Sequence, residues 1–182
     1  YIFPSLECGY KSPGHNSAFM DQDGKIYMVY HQRFDMDTEM HEPRVHQLFH
    51  TRNGWLTAAP FATEGEMLCP KSYHESEICG TYYVVEHGLD ISNEIHKPVK
   101  AEFTMNGEIL KYRDQSAESV SKETYTKPIG SFTLSDESCI TLNIGENSYE
   151  GVIVQLNDEA GNPTMCITGV GANQSAWAVR YL

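Results

Sequence analysis

Ser17-Ala18-Phe19-Met20-Asp21-Gln22-Asp23-Gly24-Lys25-Ile26-Tyr27-Met28-Val29-Tyr30-His31 is the stretch whose reading decides the fold. Lys25 to His31 is apolar on both alternating faces, as in a strand covered on both sides. Asp21-Gln22-Asp23-Gly24 before it reads as a tight turn, with Gly24 free to take a positive φ. Ser17 to Met20 is then the hairpin partner. Arg44 to Phe49 supplies the next strand. Asn53-Gly54 turns the chain into Trp55-Leu56-Thr57. Short antiparallel strands joined by tight turns make one meander sheet, which is also the unit of a propeller blade.

Pro60, Gly65 and Pro70 interrupt this pattern, so a domain boundary is placed near Glu66, giving residues 1–66 and 67–182. Beyond it the chain again reads as strands. They are Thr81–Val85, Ala101–Thr104, Glu108–Tyr112, Ile140–Ile144, Tyr149–Leu156, Thr164–Gly169 and Ser175–Tyr181. Asn106-Gly107 marks a hairpin between the second and third. Val152, Val154 and Leu156 share one strand face. Short strands at this spacing, without helical periodicity, give an all-β protein whose second part is a closed barrel or sandwich. The two halves do not repeat each other, and there is no low-complexity segment.

The bulk numbers agree. The 182 residues suffice for one ordinary domain or two small ones, and 40% are hydrophobic, as in a folded protein. The net charge of −12 repels phosphate backbones, which argues against nucleic acid as a partner. No apolar run approaches the roughly 18 residues that span a membrane, so no membrane partner is expected. Tyr1-Ile2-Phe3-Pro4-Ser5 does not read as a signal peptide; it reads as the interior of a longer or processed chain. The five cysteines, Cys8, Cys69, Cys79, Cys139 and Cys166, form no CxxC pair. Either most are free buried thiols or one disulfide forms.

Three stretches carry candidate chemistry. In Gly9-Tyr10-Lys11-Ser12-Pro13-Gly14-His15-Asn16-Ser17, Pro13-Gly14 is read as a turn that presents His15 at a strand mouth. There His15 either contacts a ligand or metal, or caps a backbone carbonyl. In His31-Gln32-Arg33-Phe34, Arg33 either hydrogen-bonds sugar hydroxyls or a carboxylate, or is a strand-end surface charge. In His41-Glu42-Pro43-Arg44-Val45-His46-Gln47, the two histidines invite zinc. Their spacing suits no helix face, and no Cys or acidic ligand stands at a usual offset, so zinc is not expected.

Taken in order, with Gly54-Trp55 and Ala59-Pro60 following, these stretches resemble the fifth blade of the arabinanases of glycoside hydrolase family 43. There the first reads G-Y-x-S-P-G-H-N-S, the second H-T-R-F and the third H-E-x-R-V-H-Q; this chain departs at Gln32, where Thr is usual. The resemblance covers residues 9 to about 66. The remainder resembles, more weakly, the C-terminal β-barrel domain of larger members.

What the resemblance implies is concrete. Residues 1–66 are the last blade of a five-bladed propeller, and residues 67–182 a non-catalytic barrel. The enzyme is secreted, extracellular or periplasmic, and hydrolyses α-1,5-linked arabinan or arabino-oligosaccharides with inversion, endo rather than exo. Its catalytic carboxylates lie on an N-terminal propeller portion of the same enzyme, so this chain carries no catalytic residue. His15 matches the histidine that holds an axial, mostly water-coordinated calcium ion (Ca2+). Read from the residues themselves, Asn16 and Ser17 beside it are candidates to hold cation-bound waters or sugar, Ser17 being equally suited to cap the strand start, and Arg33 is the further candidate for substrate contact. The alternative reading is a non-catalytic carbohydrate-binding β-module.

Overall fold

The computed structural model describes residues 10–34, 40–88, 97–112, 125–171 and 173–181. The first part is a four-stranded antiparallel sheet in the order β1 (Tyr10–Met20), β2 (Ile26–Phe34), β3 (His41–His50) and β4 (Leu56–Ala58). The β1–β2 turn forms where the sequence places it. The Asp21 carboxylate accepts the backbone N–H groups of Asp23 and Lys25 at 2.9 and 2.8 Å, and Gly24 takes φ 80°. A side chain there would suffer the left-handed penalty.

One sequence expectation is corrected. Pro13-Gly14 is not a turn: β1 runs through it as an irregular strand. The register against β2 slips between Lys11 and Gly14 and again between Gly14 and Ser17. Bulges absorb the proline, which cannot donate to the ladder. His15, in the bulged stretch, adopts φ 52°.

The second part is an eight-stranded closed barrel. Its strands are β5 (Gly80–His87), β6 (Val99–Phe103), β7 (Glu108–Tyr112), β8 (Tyr125–Leu134), β9 (Cys139–Ile144), β10 (Asn147–Asn157), β11 (Pro163–Gly171) and β12 (Gln174–Arg180). Each pairs antiparallel with the next, and β12 pairs with β5 to close the ring, leaving no edge. The expectation of a barrel or sandwich resolves to a barrel. The sequence reading did not include β8, whose Pro128 disguises it; Pro128 lies between two register shifts against β7.

The barrel interior is packed. Tyr82, Phe103, Ile109, Ile140, Leu142, Tyr149, Ile153 and Ile167 are all but inaccessible there. A four-residue helix, α1 (Glu75–Ile78), adds Ile78 to the same cluster, and the Tyr82 hydroxyl donates to the Ile78 carbonyl at 2.8 Å. Tyr149 donates to the Glu86 carboxylate at 2.5 Å, and Asn147 donates to the same oxygen at 3.1 Å.

β10 and β11 are buried on both faces because the sheet covers their outer side. Val152, Val154, Leu156, Cys166 and Val179 of the barrel form a second core with Phe49 and Ala59 of the sheet segment. Burying each of the phenylalanine, valine and leucine side chains stabilises by about 1.5–3 kcal/mol, so sheet and barrel are joined by a real core. Polar contacts lock the seam. Thr168 and Trp177 both donate to the Ala58 carbonyl, at 2.6 and 2.9 Å. Cys69, Cys79, Cys139 and Cys166 are free thiols, and Cys8 lies outside the described residues.

Candidate functional site

The bulge in β1 brings Gly14 opposite His31 of β2. A Cβ on Gly14 would stand 3.7 Å from the His31 ring, so the bare backbone of β1 lies beside that imidazole. The next residue, His15, is exposed, and its left-handed backbone is uncommon outside glycine although histidine tolerates it better than most. Its ring centroid stands 6.3 Å from that of His31 at 69°. On the other side, β3 enters the sheet at His41, whose ring meets His31 edge-on at 4.8 Å and 85°. The three imidazoles, with Val29, Tyr30, Glu42 and Pro43, line an open concavity of about 360 Å³.

The sequence candidates divide at this concavity. His15 lines it. Asn16 and Ser17 are exposed further along β1, with Ser17 paired to Val29, and are not part of the lining. Arg33 is half-buried on β2, paired with Lys11 on one side and His41 on the other, and is also outside the lining. Sequence reasoning missed His31 and His41 as neighbours of His15. The signal was present: counting back from the Asp21–Gly24 turn puts His31 opposite the His15 region. The β2–β3 register then pairs His31 with Pro43 and Arg33 with His41.

The donor set decides which cation suits the concavity. Calcium takes six to eight oxygen ligands. The lining offers three imidazoles and one carboxylate, Glu42, which also pairs with Arg44 at 3.1 Å. Among the described residues no group of three or more His, Cys, Asp or Glu side chains converges as a metal cage. A calcium ion fits here only as a guest on a single imidazole, with its oxygen ligands coming from water or from carboxylates outside these residues.

Behind the concavity stands His46, buried where the sheet meets the barrel. Its Nδ1 lies 2.8 Å from the Ala59 carbonyl and its Nε2 3.1 Å from the Tyr30 hydroxyl. A carbonyl only accepts, so Nδ1 carries the proton, and in the neutral ring Nε2 accepts from Tyr30. Burial lowers the His46 pKa and so favours that neutral ring.

Comparison with known proteins bears on the chain as a whole. The model of the glycoside hydrolase family 43 C-terminal lipocalin-like domain matches residues 60–178. The chain is 44% identical over 99 residues to the extracellular endo-α-(1→5)-L-arabinanase 2 of Bacillus subtilis, covering 54% of this chain and 21% of that protein. It is 40% identical over 102 residues to the extracellular endo-α-(1→5)-L-arabinanase of Thermotoga petrophila, covering 56% and 21%. Among solved structures, the family 43 YxiA protein of Bacillus licheniformis superimposes with a TM-score of 0.75 and 30% identity, over 94% of this chain and 36% of that one. The Thermotoga petrophila endo-1,5-α-L-arabinanase does so with 0.75 and 30%, over 95% and 37%. The matches thus span about a fifth of the length of the curated relatives. With its model covering most of the sequence, the chain belongs to the family of C-terminal lipocalin-like domains of glycoside hydrolase family 43.

Proposed function

We propose that this chain is the C-terminal part of an extracellular glycosidase that cleaves α-1,5-L-arabinofuranosidic linkages within arabinan, with inversion. In this reading β1–β4 are the last blade of a five-bladed propeller. The catalytic carboxylates stand on an N-terminal propeller portion that this chain does not span. The observation that carries the reading is that sheet and barrel together, over 95% of the chain, superimpose on 37% of an endo-arabinanase at 30% identity. The open sheet agrees with it: Phe19, Met20 and Val45 are 50%, 63% and 45% exposed, apolar side chains that neighbouring blades would cover.

The histidine-lined concavity then belongs to the substrate side of the propeller. His15 would hold a calcium ion through one ring nitrogen, with waters completing its shell. Held there, the ion would supply positive charge that biases nearby pKa values and orders water in the cleft. Asn16 and Ser17, next to His15 in the chain, would hold such waters or sugar hydroxyls, and Arg33 would donate to hydroxyls, all three from outside the lining itself. Inversion needs room for a water between base and sugar, with the two carboxyls about 6.5–9.5 Å apart.

The test compares the 182-residue chain alone with the enzyme containing its N-terminal propeller portion, following release of reducing ends from linear arabinan. Cleavage is expected only in the second. Cleavage by the chain alone would place catalytic carboxylates within it. An inactive whole protein whose isolated chain binds arabinan would favour the non-catalytic binding module.

A further inference from the structure

The middle of β2 walls the concavity, and that wall is held from behind by the barrel. Strand alternation sends the Val29 and His31 side chains to one face of β2 and that of Tyr30 to the other. On that other face three rings form a continuous stack across three strands. Tyr30 lies on His46 at 5.6 Å between centroids and 19° between planes. His46 lies against Trp177 of β12 at 6.4 Å and 20°.

Each ring in this stack is pinned by a hydrogen bond. Tyr30 donates to His46, His46 donates to the Ala59 carbonyl, and the Trp177 indole donates to the Ala58 carbonyl at 2.9 Å. A ring that is both stacked and hydrogen-bonded has little freedom to slide or turn. Close packing passes a displacement of one member to the next.

A simple core role explains this poorly. A polar imidazole buried at a seam pays a desolvation cost that leucine or phenylalanine would not. What the imidazole adds is direction: it has one donor and one acceptor, and both are used.

We propose that Trp177, acting through His46 and Tyr30, is a positioning residue for the histidine-lined concavity, so that the barrel sets where His31 stands. The structural part stands on this chain alone. Only its consequence for cleavage rests on the arabinanase reading above.

Three variants of the 182-residue chain test it: Tyr30→Phe keeps the stack and loses one hydrogen bond, His46→Asn keeps a donor for Ala59 and loses the stack, and Trp177→Phe keeps an aromatic ring and loses the Ala58 bond. Leu156→Val thins the same second core four residues along β10 from Val152, the residue level with Trp177 through Thr168, and serves as control. The imidazole resonances of His31 and His41 are read by nuclear magnetic resonance beside thermal unfolding.

The expected result is that the three variants shift the His31 resonances and Leu156→Val does not. In the whole enzyme, kcat/KM on linear arabinan should fall about tenfold or more, the scale of a small misplacement of a site. His31 resonances unchanged in all three variants, whatever happens to stability, would overturn the proposal. So would an equal shift in Leu156→Val. A whole enzyme inactive on arabinan sinks the earlier reading, while the resonances still decide this one.

Discussion

Thr57 and Thr168, 111 residues apart in the chain, share a hydroxyl–hydroxyl hydrogen bond of 2.6 Å. Thr168 also donates to the Ala58 carbonyl at 2.6 Å, and a hydroxyl has one proton. The Thr57 hydroxyl is therefore the donor between the two, and the order of the chain is Thr57 to Thr168 to Ala58. Both threonines are buried.

That order makes the two positions unequal. Thr168→Val removes both hydrogen bonds and strands the Thr57 proton, which costs about 2–3 kcal/mol. Thr57→Val removes one bond and costs about 1 kcal/mol. The double variant should cost less than the sum, because the pair shares an interaction. Urea denaturation of the chain measures all three. Equal losses from the single variants would show that the donor order is wrong.

Gly151 marks a second constraint on this seam. A Cβ there would stand 2.5 Å from the Thr168 carbonyl oxygen and 3.1 Å from Gly169 Cα. Both are backbone atoms of β11, so no side chain can swing away. Gly151→Ala must push β10 and β11 apart beside Thr168, a cost of about 1–3 kcal/mol. A variant that unfolds at the wild-type midpoint would show that the two strands tolerate a wider spacing.

Two barrel tyrosines should resist ionisation. Burial raises the Tyr82 hydroxyl well above its ordinary 10.0, with Arg180 opposing. Burial, followed by the hydrogen bond to the Glu86 carboxylate, raises Tyr149 likewise. The unfolded chain gives up these protons first as pH rises. Their contribution is thus whole below pH 10.0 and is lost as pH climbs above it toward the folded values. Phenolate absorbance should include a fraction that appears only when the barrel unfolds. Tyr149→Phe should flatten the loss of stability at alkaline pH. A native-state titration in which every tyrosine ionises near its ordinary value would refute the buried pair.

Much of the fold was legible because turns and alternation are local. Asp21–Gly24, Asn53-Gly54 and Asn106-Gly107 each stand in a hairpin turn, and the alternation of Ile140, Leu142 and Ile144 gives one buried face. β8 was not legible, because Pro128 breaks the strand signal and only the ladder on either side rescues it. The β1 bulge was hidden for the same reason: Pro13-Gly14 is turn chemistry locally, and pairing with β2 overrides it. His15 was singled out by motif. The joining of His31 and His41 to it is a property of register. The role of His46 depends on Trp177, 131 positions away, which no local pattern reports.

The cation proposal makes His15 the decisive residue. In the assembled enzyme His15→Ala should abolish calcium binding measured by titration calorimetry, and chelation of the wild type should reproduce the variant's activity. If the ion tunes the acid and base, the loss falls on kcat; if it only positions sugar, it falls on KM. Wild-type calcium affinity in His15→Ala would remove the residue from the ion's shell.

The last prediction concerns pH and the seam. His46 is neutral in the fold because burial disfavours its charged form; the hydrogen bond to Ala59 opposes this without reversing it. Its folded pKa lies below the ordinary 6.5. Between the two values the unfolded chain binds a proton that the folded chain refuses. Stability from this group is therefore whole above pH 6.5 and declines as pH falls toward the folded value. Protonation would also make Nε2 a donor and turn the Tyr30 hydroxyl around, so the stack loosens as the charge enters. Other histidines titrate in the same range, so the comparison must be between proteins. His46→Asn should start less stable and lose less as pH falls from 7 to 5, a window chosen around the ordinary histidine value of about 6.5. Parallel stability curves for the variant and the wild type across that window would show that His46 is not the group the seam depends on.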